Sequence, residues 1–319
     1  AIQKRGDAVS GSGQFDVTVP DAGPFARRFM PDLTADADLA GAVTSTGTVA
    51  INSETIRVTD LVANTKSDVL TSRYNGALTI TGDVIGADGT VSANIPSMAA
   101  LNAATTSDIA YSDALGSVSA TGRISGKTGN FSIDDIVAEL RDGDINGQYK
   151  GRATVADTVS LAGDMSVTGQ SLRKLAAQSG TVLPPSTDKG AVFETFGLSG
   201  TVSGPVDNLT LSQAKLTLDD LSATGRFAFS MQETQPTLTG TLTLPGLDLR
   251  PYMAAYSAQR PEGVIQPWSE TAIPTSGLRA IDADLSLTTP SIKLTRLSLG
   301  ATQARAVLTN GILTTTIPD

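Results

Sequence analysis

One short phrase is written four times along this chain, roughly every 75 residues. It is an alternating apolar strand, then a break of Gly, Pro, Asp or Ser, then about two turns of amphipathic helix. The copies are Phe15-Asp-Val17-Thr-Val19-Pro20 with Pro24-Phe25-Ala-Arg27-Arg28-Phe29-Met30; Val91-Ser-Ala93-Asn-Ile95-Pro96 with Ser97-Met98-Ala-Ala-Leu101; Met165-Ser-Val167-Thr-Gly169 with Ser171-Leu172-Arg173-Lys174-Leu175; and Leu242-Thr-Leu244-Pro-Gly246 with Asp248-Leu249-Arg250-Pro-Tyr252-Met253. A chain built this way lays down one long surface in place of a compact pocket. The expected parts are a tail of a preceding repeat at 1–22, repeat units at 23–95, 96–168 and 169–245, and a partial, diverged unit at 246–319. The whole is expected to be a section of a longer protein. Short helices are expected over Phe25–Met30, Ala99–Ala104, Leu172–Gln178 and Leu249–Tyr256.

Between the helices the strands are readable from alternation. After Gly200 the apolar positions are Val202, Leu209, Leu211, Leu216, Leu218, Leu221, Ala223, Phe227, Phe229, Leu238, Leu242 and Leu244, and the residues between them are mostly Thr, Ser, Lys and Arg. Side chains alternate faces along a strand, so one face is Leu/Phe and the other is wet. Breaks at Pro205-Val-Asp207-Asn208, Asp219-Asp220 and 232–236 suggest strands of about five residues. Upstream, Ile56-Arg-Val58, Leu61-Val-Ala63 and Tyr74-Asn-Gly76 line up with Phe131-Ser-Ile133, Ile136-Val-Ala138 and Tyr149-Lys-Gly151. Gly76, Gly151 and Gly225 share one repeat position. Past Ile281 the alternation continues through Leu285, Leu287, Ile292, Leu294, Leu297, Leu299, Ala304, Ala306 and Leu308, but that glycine is lost.

The predicted fold is therefore mainly β: a long twisted antiparallel sheet forming a groove, each repeat supplying about five strands and one short helix. Five strands make a strip about 24 Å wide, whereas an eight-residue helix is only about 12 Å long. The helix cannot cover its own sheet. Each exposed Leu or Phe forgoes roughly 1.5–3 kcal/mol, so the sheet must curl on itself or a hydrophobic ligand must fill the trough. The floor of that trough is expected at Leu209, Leu211, Leu216, Leu218, Phe227, Phe229, Leu238, Leu242 and Leu244.

Composition narrows the function. The net charge is −9 and no basic stripe is present, which argues against nucleic acid as a partner. There is no Cys and no His, which removes thiol nucleophiles, imidazole bases and the usual zinc ligands. No apolar run reaches the ~18 residues of a membrane helix, and no signal-peptide pattern opens the chain. Neither a catalytic group, a metal site nor a cofactor is expected, and the chain does not read as an enzyme.

A family resemblance is carried by the stretch from Ser171 to Met253. Its residues are Leu172-Arg173-Lys174-Leu175-Ala176, Leu183-Pro184, Phe196-Gly197-Leu198-Ser199-Gly200, Leu209-Thr-Leu211, Leu216-Thr-Leu218-Asp219, Pro236-Thr-Leu238-Thr-Gly240-Thr-Leu242 and Leu247-Asp248-Leu249-Arg250-Pro251-Tyr252-Met253. Trp268-Ser269-Glu270 and Leu278-Arg279-Ala280-Ile281-Asp282-Ala283-Asp284-Leu285 extend it. This stretch resembles the AsmA family of bacterial envelope proteins; the first 150 residues match it only as diverged copies of the unit. The resemblance implies a periplasmic protein held in the inner membrane by an N-terminal helix that would lie outside this chain. It implies a repeating β-groove of the bridge-like lipid-transfer kind, phospholipid as the ligand, and a role in phospholipid transport and outer-membrane biogenesis with an outer-membrane partner unknown. The rival reading is a structural or adhesive β-rich repeat protein of the cell surface, its apolar face sealed by its own packing.

Other motifs have plain readings beside their functional ones. Asp142-Gly-Asp144-Ile-Asn146-Gly147 resembles the start of a calcium loop, but its twelfth position is Ala153 where a Glu is needed, and an Asx/Gly hairpin turn explains it. Asp134-Asp135 and Asp219-Asp220 are either paired acids or solvated turns. Arg27-Arg28, Arg173-Lys174 and Arg250 are candidates to meet lipid phosphates at the trough rim, or simply the polar faces of small helices.

Overall fold

The computed structural model describes residues 2–5, 8–24, 39, 41–105, 112–178, 183, 192–231, 235–253 and 281–317. The chain divides into two compact units, Ala1–Gly163 and Asp164–Asp319. Both are mainly β, and in each the main sheet is open and mostly antiparallel.

The first unit is a meander. Its strands are β1 (Ile2–Arg5), β2 (Ala8–Val19), β3 (Ala42–Ile51), β4 (Thr55–Lys66), β5 (Thr71–Thr81), β6 (Val84–Ile95), β7 (Ser117–Lys127), β8 (Asn130–Arg141) and β9 (Ile145–Val155). Each pairs antiparallel with the next in sequence. Helix α1 (Met98–Ala104) and a 3-10 turn (Ser112–Ala114) lie between β6 and β7. The Ser97 hydroxyl accepts from the Ala100 N–H and caps α1, as a Ser at this position does.

β10 (Val159–Gly169) spans the division between the units. The second unit continues with α2 (Leu172–Gln178), β11 (Phe196–Pro205), β12 (Asn208–Leu218), β13 (Leu221–Ser230) and β14 (Thr237–Thr243). After β14 the meander breaks. β15 (Leu247–Asp248) leaves for a small second sheet with β17 (Ile292–Lys293) and β18 (Ser298–Leu299). The main sheet resumes with β16 (Asp282–Thr289), which pairs parallel to β14, then β19 (Thr302–Thr309) and β20 (Ile312–Thr316). The expectation of an antiparallel sheet throughout is corrected here. A parallel neighbour requires a connection that returns the chain to the starting end of the strands, and the long stretch between Thr243 and Asp282 makes that return possible. Ile292 and Leu299, whose alternation looked like more of the main sheet, pair with each other in the small one.

The expected five short strands per unit are also corrected. β3–β6, β7–β10 and β11–β14 are sets of four, and their strands run mostly to 10–12 residues. The pieces Ile56-Val58 and Leu61-Ala63 belong to one strand, β4. Likewise Phe131-Ile133 and Ile136-Ala138 are both β8, and Leu209-Leu211 and Leu216-Leu218 are both β12. What separates the pieces is a β-bulge. Asp60, Asp135 and Gln213 sit there at φ of 52°, 52° and 51°, and the register shifts on both sides of each strand. A bulge adds one unpaired residue. Because side-chain direction has period two, one extra residue turns even positions to the side that odd ones occupied. Asp134-Asp135 is therefore part of a strand and its bulge, not a turn. Asp219-Asp220 does form the β12–β13 turn, with Asp219 at φ 50°.

The expected helices over Ala99–Ala104 and Leu172–Gln178 agree with α1 and α2. Residues 250–253 are helical and Leu249 stands just before them, outside the helix, while residues 254–256 and all of Phe25–Met30 lie outside the described residues. So do Arg27, Arg28, Trp268 and the stretch from Leu278 to Ala280.

Candidate apolar trough

Register assigns every floor residue a side. In the second unit Leu209 pairs with Phe229 and Leu211 with Phe227; past the bulge, Leu216 pairs with Ala223 and Leu218 with Leu221. Phe229 pairs in turn with Leu238, Phe227 with Gly240 and Gly225 with Leu242. Directly paired residues share a face, and Leu244 keeps the alternation just past β14. Eight of the nine predicted floor residues are thus brought to one face by strand pairing, with Leu244 continuing their line. The bulge at Gln213 is what makes this so: without it Leu216 and Leu218 would point away from Leu209 and Leu211. The face extends beyond the predicted set, through Leu285 and Leu287 of β16 and through Ala304, Ala306 and Leu308 of β19.

The first unit has a floor of the same kind, which the expected floor residues do not include. Ile51, Ile56, Ile80 and Ile85 form a cross-strand row. Val49, Val58, Leu78 and Ala87 form the next, and Gly89, Ile124, Ile133 and Ala153 another. Ala63, Tyr74, Val91, Ala93, Ala120, Ile133 and Ile136 border a depression of about 400 Å³ crossing β4 to β8. The opposite face carries Arg57, Asn64, Arg73, Asp88, Thr90, Arg123, Glu139 and Lys150. The alternation that would have revealed this floor is present in the sequence, but the bulges at Asp60 and Asp135 break its phase midway.

Most of the predicted floor side chains are half-buried: Leu209, Leu211, Leu216, Leu218, Phe227, Phe229, Leu238 and Leu242 all fall in this class, and of the nine only Leu244 is buried, at 6% exposure. Ile51, Ile56 and Ile85 are exposed at 43%, 37% and 45%. The apolar face is thus only partly covered by protein.

Glycines and flat rings tile it. A Cβ on Gly76 would stand 2.3 Å from the Asp88 carbonyl oxygen and 2.8 Å from the Tyr74 hydroxyl; a Cβ on Gly151 would meet the Ala162 carbonyl and the Tyr149 hydroxyl at the same distances. Phe227 lies against Gly240, and Phe15 against Gly47, in the same manner. The tyrosine hydroxyls are satisfied within the sheet. Tyr74 donates to the Ala77 carbonyl at 2.7 Å and Tyr149 to the Arg152 carbonyl at 2.7 Å. Ala77 and Arg152 are the residues that face the bulges of β4 and β8, so each phenol supplies a donor where the ladder is disturbed. Burial pushes both phenols above their ordinary pKa. The Thr65 and Ser72 hydroxyls, also on this face, bond each other at 2.8 Å. These four hydroxyls of the floor are neutral and internally paired, and such groups cost little beside an apolar ligand.

Two of the cations proposed for the rim, Arg173 and Arg250, have other work. Arg173 donates to the Val192 carbonyl at 2.6 Å and the Leu183 carbonyl at 3.3 Å and pairs with Glu194. Arg250 forks onto Asp248, with Nε at 2.9 Å from Oδ1, and holds that carboxyl down at a pKa of about 2. Asp219 is a structural hub. It accepts from the N–H groups of Phe193, Glu194 and Thr195 at 2.7, 2.9 and 3.1 Å and from the Tyr252 hydroxyl at 3.0 Å. The Phe193 and Tyr252 rings meet edge to face at 5.2 Å. Burial first, and then Asp219, push the Tyr252 phenol well up. The motif at Asp142 forms the β8–β9 hairpin turn, where the Ser117 hydroxyl donates to Asp142 at 2.7 Å. Among the described residues no group of three or more acidic side chains could hold a metal ion, and no helix is long and apolar enough to cross a membrane.

Comparison with protein-family models, with curated proteins and with solved structures finds no match to this chain.

Proposed function

We propose that this chain is a lipid-binding trough, a periplasmic section of an AsmA-like protein tethered to the inner membrane by an anchor outside the chain. In this reading phospholipid acyl chains lie on the apolar floor, headgroups stay in water at the strand ends, and no reaction is catalysed. Its place is phospholipid transport between the membranes and outer-membrane biogenesis. The observation that carries the reading is the partly uncovered apolar face of the main sheet in each unit, across strand after strand, with the hydroxyls of Tyr74, Tyr149, Thr65 and Ser72 already satisfied. Soluble proteins rarely leave a large contiguous apolar patch without a partner, and a mobile chain of methylenes needs no specific donors. The resemblance of residues 171–253 supplies the choice of ligand.

The test is photo-crosslinking to phospholipid from probes at Leu216, on the floor, and Thr224, exposed on the opposite face. Thr224 is a cleaner control than Thr217, which is half-buried with its hydroxyl against Gly197. Labelling at Leu216 with little at Thr224 is expected, and Leu216→Asp should abolish it, because a carboxylate on the floor must be desolvated beside the acyl chain. Equal labelling at both sites, or none in protein folded by circular dichroism, would favour a structural β-repeat whose floor never meets lipid.

A further inference from the structure

We propose that the wet face of the second unit, opposite the apolar floor, carries a phosphate-binding site between Arg226 and Arg305. Arg226 on β13 pairs with Thr241 on β14, Thr241 with Ser286 on β16, and Ser286 with Arg305 on β19. The four form one straight cross-strand row, two guanidinium groups flanking two hydroxyls. β13 and β19 are three strand spacings apart, about 14 Å, and both arginines border one depression of about 380 Å³ together with Ala228, Thr239, Thr241 and Ser286. It is the parallel join of β14 to β16 that sets Ser286 beside Thr241.

Asp284, two residues from Ser286 on β16 and so on the same face, borders the same depression. It accepts from Arg305 Nε at 2.8 Å and from Nη2, and so fixes that guanidinium and uses its Nε and Nη2 edge. Nη1 of Arg305, and the whole guanidinium of Arg226, have no partner among the described residues. The charges bordering the depression are two cations and one carboxylate, so it stays net positive on a chain of net charge −9. Guanidinium and hydroxyl donors set along one row across four strands offer the several donors that the oxygens of a tetrahedral phosphate take, whereas one arginine fork satisfies a planar carboxylate. The phosphate group can come free in solution or on a lipid headgroup.

The experiment is amide NMR titration of the whole chain with inorganic phosphate and, separately, with phosphatidylglycerol or phosphatidylcholine vesicles. Saturable shifts centred on Thr241, Ser286 and Arg305 are expected, with affinity falling about tenfold in Arg226→Gln, the loss of one charged hydrogen-bonding partner. Lys215→Gln, on the same face but in the next row, should change it less than about twofold. Arg226 is exposed and unpaired among the described residues, so its replacement leaves the fold intact. Shifts with inorganic phosphate identify a free-phosphate site; shifts only with phosphatidylglycerol vesicles identify a headgroup site, and both support the proposal. No saturation with either probe, or equal losses in Arg226→Gln and Lys215→Gln, overturns it. Because the site and the trough lie on opposite faces, this outcome is independent of lipid labelling at Leu216.

Discussion

At the residue scale, the floor depends on which side chains are missing as much as on which are present. Gly76 and Gly151 lie where a Cβ would meet a backbone carbonyl at 2.3 Å, so no rotamer change can relieve the clash. Gly151→Ala is expected to cost about 1–3 kcal/mol, as overpacking does, read as a lower urea midpoint. Tyr149→Phe keeps the ring over the glycine and removes only the hydroxyl bonded to the Arg152 carbonyl, so it should cost less, about 1 kcal/mol. The shared position of Gly76, Gly151 and Gly225 was visible in the sequence. The reason for two of them, a tyrosine laid across the gap to bond a carbonyl opposite a bulge, was not, because it depends on which residue faces which across two strands. The third copy shows the limit: Ala223 stands where the others have tyrosine, and a Cβ on Gly225 would clash with the Thr241 carbonyl at 1.9 Å.

At the element scale, three bulges keep long strands in phase with the core. The floor was legible at Leu209, Leu211, Leu216 and Leu218 because the leucines are conspicuous, but a phase change in alternation is the same signal whether the strand ends or bulges. The two differ only in where the chain goes next. Reading a break at Asp60, Asp135 and Gln213 multiplied the strands and misplaced Asp134-Asp135. A left-handed backbone costs a residue with a Cβ roughly 1–2 kcal/mol, less for Asp, whose short side chain can bond locally. Gln213→Gly should therefore stabilise the protein by about 0.5–1 kcal/mol, and Asp60→Gly and Asp135→Gly by less, since glycine's extra unfolded-state entropy offsets part of the gain. Urea unfolding of the three variants checks the order. Deleting Gln213 instead should turn half of β12 inside out, and soluble folded protein should be lost.

At the scale of the whole molecule, the absence of Cys and His leaves almost no side chain to titrate near neutrality. Asp248 and Asp284 are held below the ordinary carboxylate value by hydrogen bonds from Arg250 and Arg305. Their contribution is present above about pH 4 and is lost as pH falls, for Asp248 through about 2. The phenols of Tyr74, Tyr149 and Tyr252 are raised, so what they contribute is intact below about pH 10 and fades only above it. Melting temperature should be flat between about pH 5 and 9, and a reducing agent should not move it. A sloping profile in that window would reveal a titrating group the fold does not account for.

The parallel join between β14 and β16 also has a consequence in time. From β1 to β9 every strand finds its partner next in sequence, so β3 to β6 and β7 to β9 can each zip hairpin by hairpin with little loop to close. Thr237, by contrast, must meet Asp282 across a long intervening stretch, and such distant pairings pay their loop entropy before any contact repays it. Assembly should therefore be ordered, and pulsed hydrogen exchange during refolding should protect the amides of β4 and β5 before those of β16 and β19. The last strands to arrive would be those that complete the Arg226–Arg305 row, so the chain would own an apolar floor before it owned a finished opposite face.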